Sequence, residues 1–437
     1  MSKILIAGGG WAGCAAAISA AKQGAEVTLV EKTDLLLGAG NVGGIMRNNG
    51  RYTATEENMA MGASELFEIT DRFSVHRNVD FPGHRHASFY DPVKVEPAVR
   101  KLLHQLGVRV ELMCRAVDVK WGPGKETGEK WIEGVEMVSW GVSQWMEGDG
   151  FVDASGSSGP MGNCSRYGHG CAMCVQRCPS FGPRVSLTAR AGAGDLMGLR
   201  QDGTPGAFSG SCKLDKTSLS LQLQAVLERD GYAAVPLPDH LIRRGKLAEK
   251  VCQQYALDAF AENLILIDTG HVKLMSPYFA LEDLRTVPGL ERVRFLDPYA
   301  GGRGNSIRYM SVSRRENSMR ACGFGNLFVA GEKSGFFVGH TEAITTGSLA
   351  GYNVCFTEDE GYLKLPRCLA CGELVAYAQD ALQEEDGLYR RFTFAGGEFL
   401  DRMKEQNLYS EDSDAIYRRV EMAGLLNIYS LPKARNL

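Results

Sequence analysis

Apolar residues first run together at Ile4-Leu5-Ile6-Ala7, break at Gly8-Gly9-Gly10, and resume after Trp11 as an Ala-rich stretch. A second apolar run, Val27-Thr28-Leu29-Val30, ends in Glu31. A short continuous apolar run beside glycine predicts a buried strand, and the Ala-rich stretch predicts a helix. Strand, glycine turn, helix, strand and acid together make a βαβ unit of ~30 residues with the spacing of a dinucleotide fingerprint. In such a unit Gly8 allows the tight turn, Gly10 lets the backbone approach a pyrophosphate, and Gly13 lets the helix lie close to the sheet. The phosphates take the helix N-terminus, where unpaired N–H groups and the helix dipole favour anions. Glu31 stands where it can accept a hydrogen bond from a ribose, and Lys32 beside it is counted with the cofactor-binding residues.

The pattern continues with a glycine-rich loop over 37–50 and a mixed region over 51–91 that contains His84-Arg85-His86. Asp91-Pro92 predicts a helix start, since proline suits the first turn. Val95, Val99, Leu102, Leu103 and Leu106 then repeat at helical spacing up to Gly107. Val108–Trp121 reads as one strand, and 131–154 as an antiparallel ribbon that closes at Phe151-Val152-Asp153-Ala154-Ser155-Gly156. The middle of the chain loses this character. It offers a helix near 217–229 and two strand-like runs, Leu264–Ile267 and Val293–Leu296. Residues 326–356 return to the sheet, and the last 80 residues are helical in pattern with an acidic turn at Glu384-Glu385-Asp386.

The expected fold is α/β. A Rossmann-like domain of the two-dinucleotide-binding flavoprotein type is built from 1–156 and 311–360. An inserted α+β domain occupies 157–310 and a helical region 361–437. Internal repeats and low-complexity tracts are absent from the sequence.

Composition narrows the classes. With 437 residues and 44% hydrophobic content the chain has enough apolar surface for two domains. A net charge of −4 supplies no overall basic field for nucleic acid. No apolar run reaches the ~18 residues of a membrane span. The N-terminal apolar run is already accounted for as a strand and is no signal peptide. Twelve cysteines then point to reduced thiols, metal ligands or redox chemistry in a cytoplasmic protein.

A second nucleotide signature lies at Asn326-Leu-Phe-Val-Ala-Gly331-Glu332, a buried strand ending in glycine and an acid. The Ala- and Gly-rich helix containing Thr346 and Gly347 follows. In a flavoprotein of this type the acid holds the ribityl hydroxyls, and the helix N-terminus stabilises charge on the reduced ring. The stretch Gly331–Asn353, with Gly335, Gly339, Glu342-Ala343, Gly347 and Ala350-Gly351, resembles the FAD-binding closing motif of the glucose-inhibited division protein A family. The first 155 residues, with Tyr90-Asp91-Pro92 and Val152–Gly156, resemble FAD-dependent oxidoreductases related to the flavoprotein component of heterodisulfide reductase. These resemblances imply bound FAD. The first also implies an alternative, since its family includes tRNA-modifying flavoproteins and folate-dependent tRNA methyltransferases. Those members carry a cysteine before Asn-Pro in the loop after the first βαβ, where this chain has Gly40-Asn41-Val42.

Cys164-x6-Cys171-x2-Cys174-x3-Cys178-Pro179 places four thiols within fifteen residues. Such a loop can hold an iron–sulfur cluster or zinc, or carry redox thiols. The Cys-Pro ending and the mixed x2 and x3 gaps favour the cluster. Cys368 and Cys371, at the start of a helix, read either as a redox pair with lowered pKa or as two small helix residues. His340, between the Gly331 motif and its helix, could pass a proton to flavin or substrate. His84 and His86 are expected to share a strand face beside the substrate cavity. Arg303, Arg308, Arg314, Arg315 and Arg320 form either an anion-binding run or a solvated face. A second GxGxxG after a strand is absent, so an external donor such as ferredoxin is expected. The leading expectation is an FAD oxidoreductase that exchanges electrons with the cysteine-bound cluster and acts on a small molecule or a redox carrier. A homo-oligomer is among the expected states.

Overall fold

The computed structural model describes residues 1–122, 128–156, 181–182, 184–208, 211–247, 252–276, 279–296, 307–308, 310–430 and 432. Cys164, Cys171, Cys174 and Cys178 lie outside the described residues, as does Arg303.

The first 112 residues supply six strands and four helices. They are β1 (Lys3–Ala7), α1 (Trp11–Lys22), β2 (Glu26–Glu31), β3 (Ile45–Met46), α2 (Gly50–Ala60), α3 (Glu65–Arg72), β4 (Ser74–Phe81), β5 (His84–Tyr90), α4 (Pro92–Gln105) and β6 (Arg109–Leu112). A ribbon of β7 (Cys114–Trp121), β8 (Ile132–Ser139) and β9 (Val142–Glu147) follows, and then β10 (Gly150–Asp153). The central sheet is wholly parallel and runs β19-β10-β1-β2-β6, with β19 at Leu327–Val329. Its continuous apolar strands follow from burial on both faces. Helix α1 lies against the helix His340–Asn353. A Cβ at Gly347 would collide with the Ala12 carbonyl, and one at Gly351 with the Ala16 carbonyl. The small-residue patterns of these two helices are therefore one interface.

Several expectations need correction. Val108–Trp121 is two strands, because Met113 takes φ +53° and turns the chain from the parallel sheet into the antiparallel ribbon. Val293–Leu296 forms no strand and makes only an isolated bridge, Leu214 to Phe295. The mixed region 51–91 is ordered as α2, α3 and the hairpin β4–β5, with β3 paired to β5.

In the middle of the chain, β11 (Leu196–Met197) pairs with β18 (Ser311–Val312), and β12 (Ala207–Phe208) with β17 (Ile307–Arg308). A four-stranded antiparallel sheet runs β13-β16-β15-β14, from Cys212–Leu214, Val272–Leu274, Asn263–Asp268 and Tyr232–Pro236. One face packs on the helix Leu221–Asp230 and on Val287, Leu290 and Val293. The other face packs Ile265 and Ile267 on Ile45, Phe81 and Phe89 of the β3–β5 sheet. Helices Ala370–Ala381, Gly397–Glu405 and Ser413–Met422 complete the core around α1 and α2. Among the described residues, no helix is long and apolar enough to cross a membrane.

Candidate cofactor and active site

The three fingerprint glycines divide by what surrounds them. Gly8 has φ +107°, and a Cβ there would strike the Ala154 carbonyl on β10's exit. A Cβ on Gly13 would strike the Gly8 carbonyl. Both are required by chain packing. Gly10 differs: its backbone is ordinary, φ −67° and ψ −178°, and a Cβ would meet nothing within 4 Å. It caps α1 without any side-chain hydrogen bond, and the first turn carries no acid. There is thus room beside Gly10, and no side chain takes the orphan donors of the first turn. That is the arrangement a pyrophosphate requires, and the residues fit the group.

Glu31 is buried beside it. Its Oε2 accepts from the Gly9 N–H at 2.8 Å, and its Oε1 from the Thr33 N–H at 2.9 Å and the Thr33 hydroxyl at 3.1 Å. A carboxylate has about four acceptor sites, which leaves capacity for a ribose hydroxyl. Lys32 donates to the Gly182 carbonyl at 3.1 Å. Asp153 ends β10, wholly buried, and ties Ser155 to Thr188. Its Oδ1 accepts from the Ser155 hydroxyl at 2.6 Å, and its Oδ2 from the Thr188 N–H at 2.8 Å.

On the other side, Gly331 N–H donates to the Thr346 hydroxyl at 2.9 Å, and that hydroxyl donates to the Glu342 carbonyl at 2.9 Å. Thr346 and Gly347 thus fix the closing helix on β19 and α1, while Gly331 and Glu332 form the turn between. Glu342 is fully buried. It meets Arg51 Nε at 3.1 Å and accepts from the Thr393 hydroxyl at 2.7 Å and the Phe394 N–H at 2.9 Å. Lys333 and Asp195 form a second buried pair at 2.6 Å, both side chains 1% exposed.

His340 opens the closing helix and gathers aromatic neighbours. Its ring stacks on Trp11 at 5.3 Å with an interplanar angle of 24°. Its Nδ1 lies 3.0 Å from the Tyr90 hydroxyl. Burial pushes the Tyr90 phenol up, so it stays protonated beside Nδ1. The His340 ring edge faces Gly43, where a Cβ would collide with Cε1. The same loop leaves no room for a side chain at Gly40, whose Cβ would collide with the Trp11 indole nitrogen. That indole N–H is buried without a hydrogen-bond partner among the described residues.

The two cysteines differ in their surroundings. Cys371 is buried at the start of its helix, whereas Cys368 is exposed. The helix N-terminus is already occupied: Glu57 accepts from the Ala370 and Cys371 N–H groups, each at 2.9 Å. Burial, and then the Glu57 charge, push the Cys371 thiol well up, which favours the reading of Cys371 as a small helix residue. His84 and His86 do not share a face, because His86 takes φ +59° within an irregular stretch of β4–β5 pairing. His84 is buried, with Asn48 on Nδ1 at 3.0 Å and the Gln254 carbonyl on Nε2 at 3.1 Å, whereas His86 meets Glu411 at 2.8 Å. Burial pushes His84 down to about 3.

Among the described side chains the arginines of the run have different surroundings. Arg315 is fully buried on the carbonyls of Ser334, Glu316 and Val375. Arg320 joins Glu129, Glu316 and Glu358, while Arg314 is exposed. Among the described residues, no group of three or more His, Cys, Asp or Glu could hold a metal. Arg51 and Lys333 carry no spacing signal; long-range pairing with Glu342 and Asp195 brings them together with the site.

The profile of the FAD dependent oxidoreductase family matches residues 3–159, and that of glucose inhibited division protein A matches residues 268–359. No curated protein matches the chain by sequence. Aquifex aeolicus GidA in its form II crystal superposes with a TM-score of 0.60 at 17% identity, covering 96% of this chain and 76% of that one. The form I crystal gives 0.58 at 16% identity, covering 96% and 78%. At these identities the likeness is one of fold.

Proposed function

We propose, from the premise that the chain belongs to the FAD-dependent oxidoreductases related to glucose-inhibited division protein A, that electrons pass between its FAD and an iron–sulfur cluster on Cys164, Cys171, Cys174 and Cys178. The observation that carries FAD binding is the uncapped, open N-terminus of α1 at Gly10. The backbone of Gly8–Gly13 would hold the pyrophosphate, and Glu31 with Lys32 the adenosine ribose. Gly331, Glu332, Thr346 and Gly347 form the closing side. FAD, when bound, supplies one- and two-electron transfer. His340 would pass a proton to or from a flavin or substrate atom, with Tyr90 and Trp11 fixing the ring.

Support for the cluster comes from the four-thiol spacing and from the residues on either side of its segment. Gly156 leaves β10 beside the fingerprint turn, and Gly182 comes back against Lys32 next to Glu31. These described residues flank the cysteine stretch in sequence, and their nearness to the fingerprint favours a short electron-transfer path. The electrons go to or come from a small substrate or a carrier protein such as ferredoxin. Anaerobic purification with iron and sulfide analysis tests this. Cys174→Ser should lower iron while FAD stays bound. Zinc without iron, or no metal, rejects the cluster.

A second reading, a folate- and FAD-dependent RNA-modifying enzyme, is favoured by the division-protein profile over 268–359. The absence of a cysteine at Gly40-Asn41-Val42 opposes it. Pure flavin bands with carbon transfer to RNA would establish it in place of the first.

A further inference from the structure

Lys273, in the centre of β16, is 9% exposed and lies far from the fingerprint in sequence. Its neighbours Val272 and Leu274 point into the core beneath the helix Leu221–Asp230. Strand alternation sends Lys273 to the opposite face, towards Ile265, Ile267 and the β3–β5 sheet. There its Nζ donates to the Gly43 carbonyl at 3.0 Å. Among the described residues it makes no ion pair with a carboxylate. Lys213 is its register partner on β13, so the two side chains share one face at neighbouring positions. Like charges directly opposite each other on a sheet are unfavourable, and a buried cation without a counter-charge more so.

This place adjoins the redox site. Gly43 is the residue whose other side is pressed by the His340 ring. Gly44, at φ +120°, lies so close to Thr269 that a Cβ would stand 2.6 Å from its methyl carbon. The β15–β16 turn is thus seated directly on the loop that borders His340.

We propose that Lys273, with Lys213 beside it, is the seat for an oxyanion of the substrate, a carboxylate or phosphate group held on the Gly43 side of His340. The inference rests on the flavin reading for its role in catalysis. Its counter-charge logic is independent: an anion between the two lysines removes their repulsion and neutralises the buried amine. Burial pushes the Lys273 amine down to about 8; Lys213 and Arg51 act in the same sense, and Cys252 opposes them. The Lys273 amine is therefore charged well below pH 8 and gives up its proton as pH rises through about 8.

Calorimetric titration of the purified holoenzyme with inorganic phosphate and, separately, with acetate tests the seat. One saturable site is expected, weakening as pH rises through about 8, and the stronger anion tells phosphate from carboxylate chemistry. Lys273→Met should weaken binding about tenfold or more, and Lys213→Met, at the sheet edge, about three- to fivefold. Lys273→Arg should keep the site. No saturable binding by wild type, or unchanged binding in both Met variants, overturns the seat. Loss of the flavin reading would show separately, as a holoenzyme preparation that carries no FAD.

Discussion

Two helix N-termini in this molecule use the same physics to opposite ends. At α1 the cap is Gly10, no side chain satisfies the first turn, and the space ahead is open. At the helix Ala370–Ala381 the equivalent donors are taken by the Glu57 carboxylate, which arrives from α2. Both ends attract negative charge through orphan N–H groups and the helix dipole. The first leaves that attraction for a ligand. The second spends it on joining the C-terminal helices to the FAD-binding core, so the adjoining Cys371 thiol gains nothing from it. A helix start with a cysteine is therefore no evidence of a reactive thiol until the occupant of the N-terminus is known.

The comparison breaks most sharply at the glycines. Gly10→Leu should abolish FAD binding with little loss of fold, because a Cβ at Gly10 meets no protein atom within 4 Å. Gly13→Ala should instead destabilise the domain, because its Cβ meets the Gly8 carbonyl. Flavin absorbance after gel filtration, together with thermal melts, separates the two. A Gly10→Leu protein that keeps its flavin would refute the open-seat reading of α1.

The parallel sheet and its two nucleotide signatures were legible in the sequence because each is local: an apolar run, a glycine at a fixed offset, an acid at a strand end. Helix α4 was legible from Asp91-Pro92, and Asp91 does cap it, accepting from the Val93 N–H at 3.0 Å. The surroundings of His340 were not. Trp11, Tyr90 and Gly43 come from three separate segments, and their meeting depends on how the β3–β5 sheet folds back. The fate of Cys371 was hidden for the same reason, since Glu57 lies 314 residues away. Met113 carries no signal either, because nothing in an apolar-polar alternation marks a left-handed residue.

The filled N-terminus makes its own prediction. Glu57→Ala leaves two buried N–H groups without an acceptor and should cost about 3 kcal/mol in chemical denaturation, with FAD retained. A cost near zero would mean that the carboxylate is not the joint. A smaller effect is expected with acid at His84, buried against Asn48 and the Gln254 carbonyl. Its pKa is about 3 in the fold and ~6.5 in the unfolded chain. Its contribution is intact above about pH 6.5 and is lost as pH falls towards 3, because only the unfolded state takes up the proton. At about pH 5 the loss should be about 2 kcal/mol relative to His84→Gln. Equal acid sensitivity in the two proteins would contradict this. The smallest effect is chemical: iodoacetamide on the native protein should label Cys368 and spare Cys371, as peptide mass spectrometry would show.

On the proposed reading, the N-terminus of α1 and the closing helix together hold FAD. The most direct measurement is the flavin released from the purified wild-type protein on denaturation, counted against protein. One FAD per chain, non-covalently bound and restored to the apoprotein by added FAD, is the predicted result. A colourless protein that takes up no FAD under any reconstitution would contradict it.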